Sequence, residues 1–395
     1  MQKDVIVSSE PAAATVATTG QGVGIDLLKY ALRARFETQR ADVDAAAWAA
    51  LGAPDIYNLA RLNKLVLLLS GPVLNSLPSD IRSPLGVLIE RYKARTVAMN
   101  AHMIVQTLSV AAAFEKAGIA FVVMKGVSQQ KLLYGEYFAR PVGDVDLLVA
   151  SGDYRRAQAL LKADGFVVDD DCRSMWWRIF LGEQHMVKMQ DPPVTVDLHY
   201  RLQQPGSPSP RDPSAFIRKR EVMDVAGAEV PVVSRTHLPI LSAISIAKAL
   251  FNREACGSYV LDFQASVRLM TADERLAFMA EAERQGMTKS IQLGFRAAEL
   301  LFGERLSDAA NSGVLEGTCD EDLTAMILAP WTEDIRWPQR RDVLRELCGS
   351  DITRYAGEAS WAGAADLVRR WHEHRVPHKP RLPAEAGQVL PGVGA

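Results

Sequence analysis

The spacing of apolar residues changes period at Gly118, and that change limits what the chain can become. From Ile25 to about Lys116 the stretches "IDLLKYALRARF", "IYNLARLNKLVLLLS", "PLGVLIERYKARTVAMN" and "AHMIVQTLSVAAAFEKAG" repeat apolar residues at steps of three and four, which predicts helices. Gly118 stops the last of these, as a glycine just past a final helical turn does. Beyond it "IAFVVMKG" (119–126) is a short β-branched run that reads as a buried strand ending at Lys125-Gly126. "VSQQKLLYG" then reads as a short helix and "RPVGDVDLLV" (140–149) as a second strand. A helix follows over "SGDYRRAQALLKADGF", with Ser151 or Asp153 as N-cap and Gly165 at its stop. "EQHMVKMQ" (183–190) and "VTVDLHY" (194–200) flank Asp191-Pro192-Pro193 and predict an antiparallel hairpin. After the polar loop "QQPGSPSPRDP" the helical period returns from about His237 to Glu373.

The class is therefore α+β: a small mixed-sheet core at 117–235 between helical regions at 25–116 and 236–375. Residues 1–24 and 376–395 read as disordered segments, by their small, polar and Pro/Gly-rich composition. "GQGVG" (20–24) has the glycines of a phosphate loop but no strand before it, so it reads as a flexible joint ahead of a helix starting near Ile25.

Composition narrows the function classes. A net charge of −2 over 395 residues argues against bulk electrostatic binding to nucleic acid or an anionic membrane. The four cysteines, Cys172, Cys256, Cys319 and Cys348, are far apart and form no CxxC pair, which disfavours structural zinc and a disulfide framework. The N-terminal stretch lacks the apolar core of a secretory signal, and no run of 18 uninterrupted apolar residues occurs. The expectation is a cytoplasmic protein with no membrane span.

The smallest region carries polar residues in unusual places. Side chains alternate along a strand, so Asp144 and Asp146 share a face, about 6.5–7 Å apart along the chain. On the later strand Asp197 and His199 share one face and Val196, Leu198 and Tyr200 the other. Setting that hairpin beside strand 144–149 would gather three carboxylates, which repel and protonate unless a cation sits among them. Mg2+ takes oxygen ligands from one or two carboxylates and from phosphate, which is the need of phosphoryl or nucleotidyl transfer. An isolated D-x-D at a strand end is more often only solvated. Here Lys125-Gly126 opens a helix whose free amides suit phosphate, Arg140 is a permanent cation, and Gly143 permits close backbone approach.

"MKG", "YGEYFARPVGDVDLLV", "ALLKADGF" and "HMVKM…VDLHYRL" together resemble the uncharacterised nucleotidyltransferase family of the DNA polymerase β superfamily. The match is strongest over about 119–202, with "IYNLARLNKLVLLL" upstream and "YVLDFQASVRLM" downstream in keeping with it. The resemblance implies a nucleotidyltransferase core, an NTP co-substrate, and Mg2+, two ions, held by Asp144, Asp146 and Asp197. Asp197 would also act as base on the acceptor. Lys125 and Gly126 would stand where typical superfamily members have Gly-Ser at a helix start, with Ser128 one turn inward and Arg140 on β- or γ-phosphate. That departure puts the triphosphate grip in doubt. His199 would orient Asp197 or contact phosphate, and His185 would be either functional or structural.

The acceptor expected from these residues is a small molecule or a protein or peptide hydroxyl, with nucleic acid disfavoured by the charge. The alternative is a catalytically silent module that binds a nucleotide or a protein with the same fold. Lys248 and Asp262 read more readily as helix-surface charges, with Asp262 capping or ion-paired, than as cleft residues, and "MWWRIF" (175–180) as packing more than base stacking. His372, His374 and His378 are poorly spaced for zinc.

Overall fold

The computed structural model describes residues 18–36, 51–306 and 313–373. The expected disordered stretches 1–17 and 376–395 lie outside the described residues, as do His374 and His378. Helices α1 (Thr18–Ala34), α2 (Ala53–Leu62), α3 (Pro72–Ser76) and α4 (Ser79–Lys116) precede the sheet. The sheet region then runs β1 (Phe121–Val123), α5 (Val127–Tyr134), β2 (Asp144–Val149), α6 (Tyr154–Ala163), β3 (Val167–Val168), β4 (Glu183–Lys188) and β5 (Val194–His199). It closes with α7 (Ser214–Arg218), β6 (Glu221–Val225) and β7 (Ala228–Val232). Helices α8 (Leu238–Asn252), α9 (Gly257–Arg268), α10 (Ala272–Arg284) and α11 (Thr288–Phe302) follow, then α12 (Asp320–Leu328), α13 (Arg340–Cys348) and α14 (Ile352–Glu373).

The α+β class read from the sequence is what the fold has: a seven-stranded mixed sheet in the order β3-β4-β5-β2-β1-β7-β6. β2 lies parallel to β5 and antiparallel to β1, while β1 meets β7 in parallel. The hairpin β4–β5 is antiparallel, as its alternating pattern requires.

One expectation is corrected at the N-terminus. "GQGVG" lies inside α1, which starts at Thr18, so it is neither a joint nor a phosphate loop. Gly24 packs closely there: an added Cβ would come within 2.8 Å of Leu59 Cδ2, whose side chain would have to turn aside. The hairpin β6–β7 has no counterpart in the elements read from the sequence. Pro231 lies within its second strand, where a proline argues against a strand in the sequence, and most of β6 faces solvent, so neither strand shows a clean apolar alternation.

The two faces of the sheet bury different partners. One face, with Val145, Leu147 and Val149, packs with Val196 and Leu198 against the C-terminal half of α4 and against α6. The other, carrying Val122, Met124 and Leu148, joins a cluster that includes Leu27, Leu59, Leu85, Ile244, Phe263 and Leu301. Helices from both ends of the chain thus share one core. Asn63 ties them directly, donating to Leu328 O at 2.7 Å and accepting from Gly257 N at 3.1 Å. α4 is long and apolar enough by composition to cross a bilayer. In this fold Ile81, Leu85, Ile89, Met103, Val110 and Phe114 turn its inner side into the core.

Candidate active site and metal centre

The polar face of the sheet is built by three adjacent strands. The parallel register sets Asp146 opposite Asp197, and the hairpin register sets Asp197 opposite His185 and His199 opposite Glu183. Side-chain alternation then puts Asp144, Asp146, Asp197, His199, Glu183 and His185 on one surface, the one facing the C-terminal helices.

The loop that delivers β2 is pinned from two helices. Asn100 of α4 donates to Tyr137 O and Arg140 O at 2.6 and 2.8 Å and accepts from Val142 N at 2.8 Å. Gln130 of α5 exchanges two bonds with the Arg140 backbone at 2.9 and 3.0 Å. The aspartates therefore enter the strand from a fixed backbone. Gly126, the N-cap of α5, has φ +85°, which a side chain resists, and a Cβ there would sit 3.4 Å from Val142 Cγ1. At Gly143 a Cβ would meet no protein atom within 4 Å.

Glu183 organises the two histidines. Its Oε1 lies 3.0 Å from His185 Nε2 and its Oε2 3.5 Å from His199 Nδ1, with Lys248 Nζ of α8 also 3.5 Å from Oε2. His199 Nε2 reaches Asp146 Oδ1 at 3.3 Å, and His185 Nε2 is 3.5 Å from Asp197 Oδ2. The other oxygen, Asp197 Oδ1, is buried and has no hydrogen-bond partner. An orphaned carboxylate oxygen beside further acids is the environment a bound cation completes.

Among the described residues two sets lie close enough to hold an ion, Asp146–Asp197–His199 and Glu183–His185–Asp197, each with ligand atoms within 4.8 Å of one another. Asp197 belongs to both. Asp144, expected to share the metal with Asp146, falls outside both sets, because two residues along a strand separate the carboxyls more than a parallel neighbour does.

The charges divide sharply. Burial and the neighbouring Asp146 push the Asp144 carboxyl up to about 6, and burial with Asp144 raises Asp197 well above the usual carboxylate range. Burial also opposes ionisation of Asp146, but Lys125 and His199 outweigh it and hold that carboxyl low. Glu183 is likewise held low against burial by His199, His185 and Lys248. Its partner His185 is pushed up to about 11, against burial, by hydrogen bonding to Cys172 and Glu183 and by the charge of Asp197. Lys125 keeps its charge against burial through Asp146, Tyr259 and Glu183, and its Nζ stands 5.7 Å from the Tyr259 ring centre.

Other expected site residues have partners within the fold. Arg140, expected on phosphate, makes a two-pronged ion pair with Asp262 of α9, Nη1 to Oδ1 at 2.6 Å and Nη2 to Oδ2 at 2.5 Å. Tyr134 donates to the same Oδ1 at 2.6 Å. Arg140's charge is thus matched inside the fold. Ser128 is buried and its hydroxyl donates to Lys125 O at 3.3 Å, so it serves the turn. Asp262 is ion-paired, one of the readings made of it, but is buried at 1% exposure rather than on the surface, and Lys248, 37% exposed, reaches Glu183 of the polar face. Trp177 of "MWWRIF" packs on His185 with ring centres 4.9 Å apart, and Phe180 on Trp361 at 4.5 Å, in keeping with a packing role.

Glu183 was missed from the sequence. The signal available was the matching alternation Glu-x-His on β4 and Asp-x-His on β5, which only the strand register converts into contact.

The model of one family, described as an uncharacterised nucleotidyltransferase, matches residues 50–303. The chain belongs to the uncharacterised nucleotidyltransferase family. No curated protein matches. Among solved structures this nucleotidyltransferase-family chain is similar to an antigenic nucleotidyltransferase-like protein from Paracoccidioides brasiliensis, at 15% identity and a TM-score of 0.30. That likeness covers 48% of this chain and 91% of the other. The family match spans every strand of the sheet and every acidic residue of the polar face.

Proposed function

We propose that the polar face catalyses Mg2+-dependent transfer of a nucleoside monophosphate from an NTP to a hydroxyl acceptor, a small molecule or a protein or peptide. The observation that carries this reading is Asp197: it stands opposite Asp146 on a parallel strand, with a buried oxygen left unpaired. Asp146 and Asp197 would hold a magnesium, with His199 beside them, and Asp144, which lies outside that set, would serve the second ion. Bound there, magnesium would offset the negative charge of the phosphates and lower the pKa of the acceptor hydroxyl.

In this reaction the acceptor oxygen bonds to the α-phosphorus, the bond from that phosphorus to the bridging oxygen breaks, and pyrophosphate leaves. The acceptor's proton passes to Asp197, which stands opposite Asp146 with one oxygen unpaired. Lys125 balances charge on the departing pyrophosphate from the turn before α5, where helix N–H groups add to it. Glu183 fixes both imidazoles, so His199 holds Asp146 in place. Arg140 acts through Asp262 by holding the loop that leads into β2.

The second reading, a silent module that binds a nucleotide or a protein, has one observation in its favour. His199 and His185 already lie within 3.3 and 3.5 Å of Asp146 and Asp197, and so occupy part of the space around these carboxylates that a metal would use. Incubation with labelled NTPs, Mg2+ and an extract of the source cells separates the two. The enzyme labels a discrete acceptor and loses this in Asp146→Asn, whereas a silent module labels nothing.

A further inference from the structure

A cavity of about 300 Å3 opens between the N-terminal helices and the sheet region. Four cations line it, Arg35, Lys64, Lys93 and Arg140, against the single carboxylate of Glu136. Two of the four are already engaged. Arg140 is paired with Asp262, and Arg35 meets Glu136 at 3.4 Å and lies over the Tyr134 ring. Lys64 and Lys93 make no ion pair with a carboxylate among the described residues, so two solvent-exposed ammonium groups line the open cavity free to meet an anion.

Its position separates it from the expected phosphate turn. The cavity meets α5 at Tyr134, the last residue of that helix, whereas Lys125 and Gly126 precede its first. An eight-residue helix puts these about 12 Å apart. The cavity is nevertheless coupled to the acidic face, because Lys64 is among the cations that favour ionised Asp144. Lys64 is also held at φ +57°, a backbone region a lysine seldom adopts, directly after the C-cap of α2. Asn63 anchors that cap to α9 and α12, which fixes where the lysine emerges. Leu67, Leu68 and Phe138 supply apolar wall beside the charges. The combination suits a compact multiply charged anion on an organic body.

We infer that this cavity, through Lys64 and Lys93, is a binding subsite for a phosphate group carried by one of the small-molecule substrates. This rests on the transferase reading for its purpose but not for its test. Two sources share that chemistry, the phosphates of the NTP itself and a phosphorylated acceptor.

The test is calorimetric titration of inorganic pyrophosphate in the presence of a chelator, using the full chain. Wild type, Lys64→Ala/Lys93→Ala and Asp144→Asn/Asp146→Asn are compared, with melting temperatures as the control for folding. The aspartate variant should bind at least as tightly as wild type, and the lysine variant at least about tenfold more weakly than either. Equal binding by wild type and the lysine variant, or no binding by wild type, overturns the subsite. A second titration with Mg–ATP identifies the source. Weakening in the lysine variant assigns the cavity to the nucleotide's own phosphates, and retention alongside the pyrophosphate loss assigns it to a phosphorylated acceptor. Failure of nucleotidyl transfer would leave the metal-free titration untouched, so the two ideas fail separately.

Discussion

Arg140 and Asp262, 122 residues apart in sequence, meet in a buried two-pronged ion pair that joins the loop before β2 to helix α9. Removing one partner strands the other charge. Arg140→Ala and Asp262→Ala should each destabilise the protein by about 3–5 kcal/mol in denaturant unfolding, the cost of breaking a buried pair. The double variant should recover part of that loss. If Arg140→Ala left stability unchanged and raised only the KM for NTP, the pair would be incidental and the phosphate role restored.

His185 should remain protonated well above neutral pH, because hydrogen bonds to Cys172 and Glu183 and the charge of Asp197 outweigh its burial. Its folded pKa of about 11 lies above the unfolded value, so its contribution to stability is full below about 6.5 and lost as pH rises toward 11. Imidazole NMR signals should report the cation at pH 8 in wild type, with a lower pKa in Glu183→Gln. A neutral ring at pH 8 in wild type would contradict the assignment.

Asp144 carries the opposite sign. Its pKa of about 6 means a bound cation must displace a proton below that pH. Mn2+ affinity should fall by up to about tenfold per pH unit below pH 6 through Asp144, in addition to the proton competition at Asp197. The metal-free protein, relieved of repulsion, should gain stability as pH drops from 7 to 5. In Asp144→Asn both trends should flatten.

Away from the site, Glu281 gathers His237, Lys219, Arg284 and Gln285 around one carboxylate and joins α10 to the segment before α8. Burial opposes its charge, but bonding to Arg284 and Lys219 outweighs it and depresses the pKa. A depressed carboxylate stabilises above its unfolded pKa of about 4.3 and loses that as pH falls. Glu281→Gln should cost about 2 kcal/mol at pH 7 and make acid unfolding less steep.

The strands at the centre of the site were legible because their patterns are local. Val145, Leu147 and Val149 alternate against Asp144 and Asp146, and Val196 and Leu198 against Asp197 and His199, so faces could be assigned before any contact was known. What required the fold was pairing between distant elements. Nothing near Glu183 announces that it will stand opposite His199, and nothing near Arg140 announces Asp262. Both depend on how far β4 slides along β5 and where α9 lands. The start of α1 was obscured because "GQGVG" is flexible by composition, while close packing of Gly24 on Leu59 favours helix.

The most direct test of the central claim is calorimetric titration of ATP, CTP, GTP and UTP with Mg2+ and with chelator, in wild type and in Asp146→Asn/Asp197→Asn. The account predicts that wild type binds at least one NTP at least about tenfold more tightly with Mg2+ than without, and that the variant loses this gain while keeping its fold. Identical NTP affinity with and without Mg2+ in wild type, or an undiminished Mg2+ gain in the variant, would contradict it.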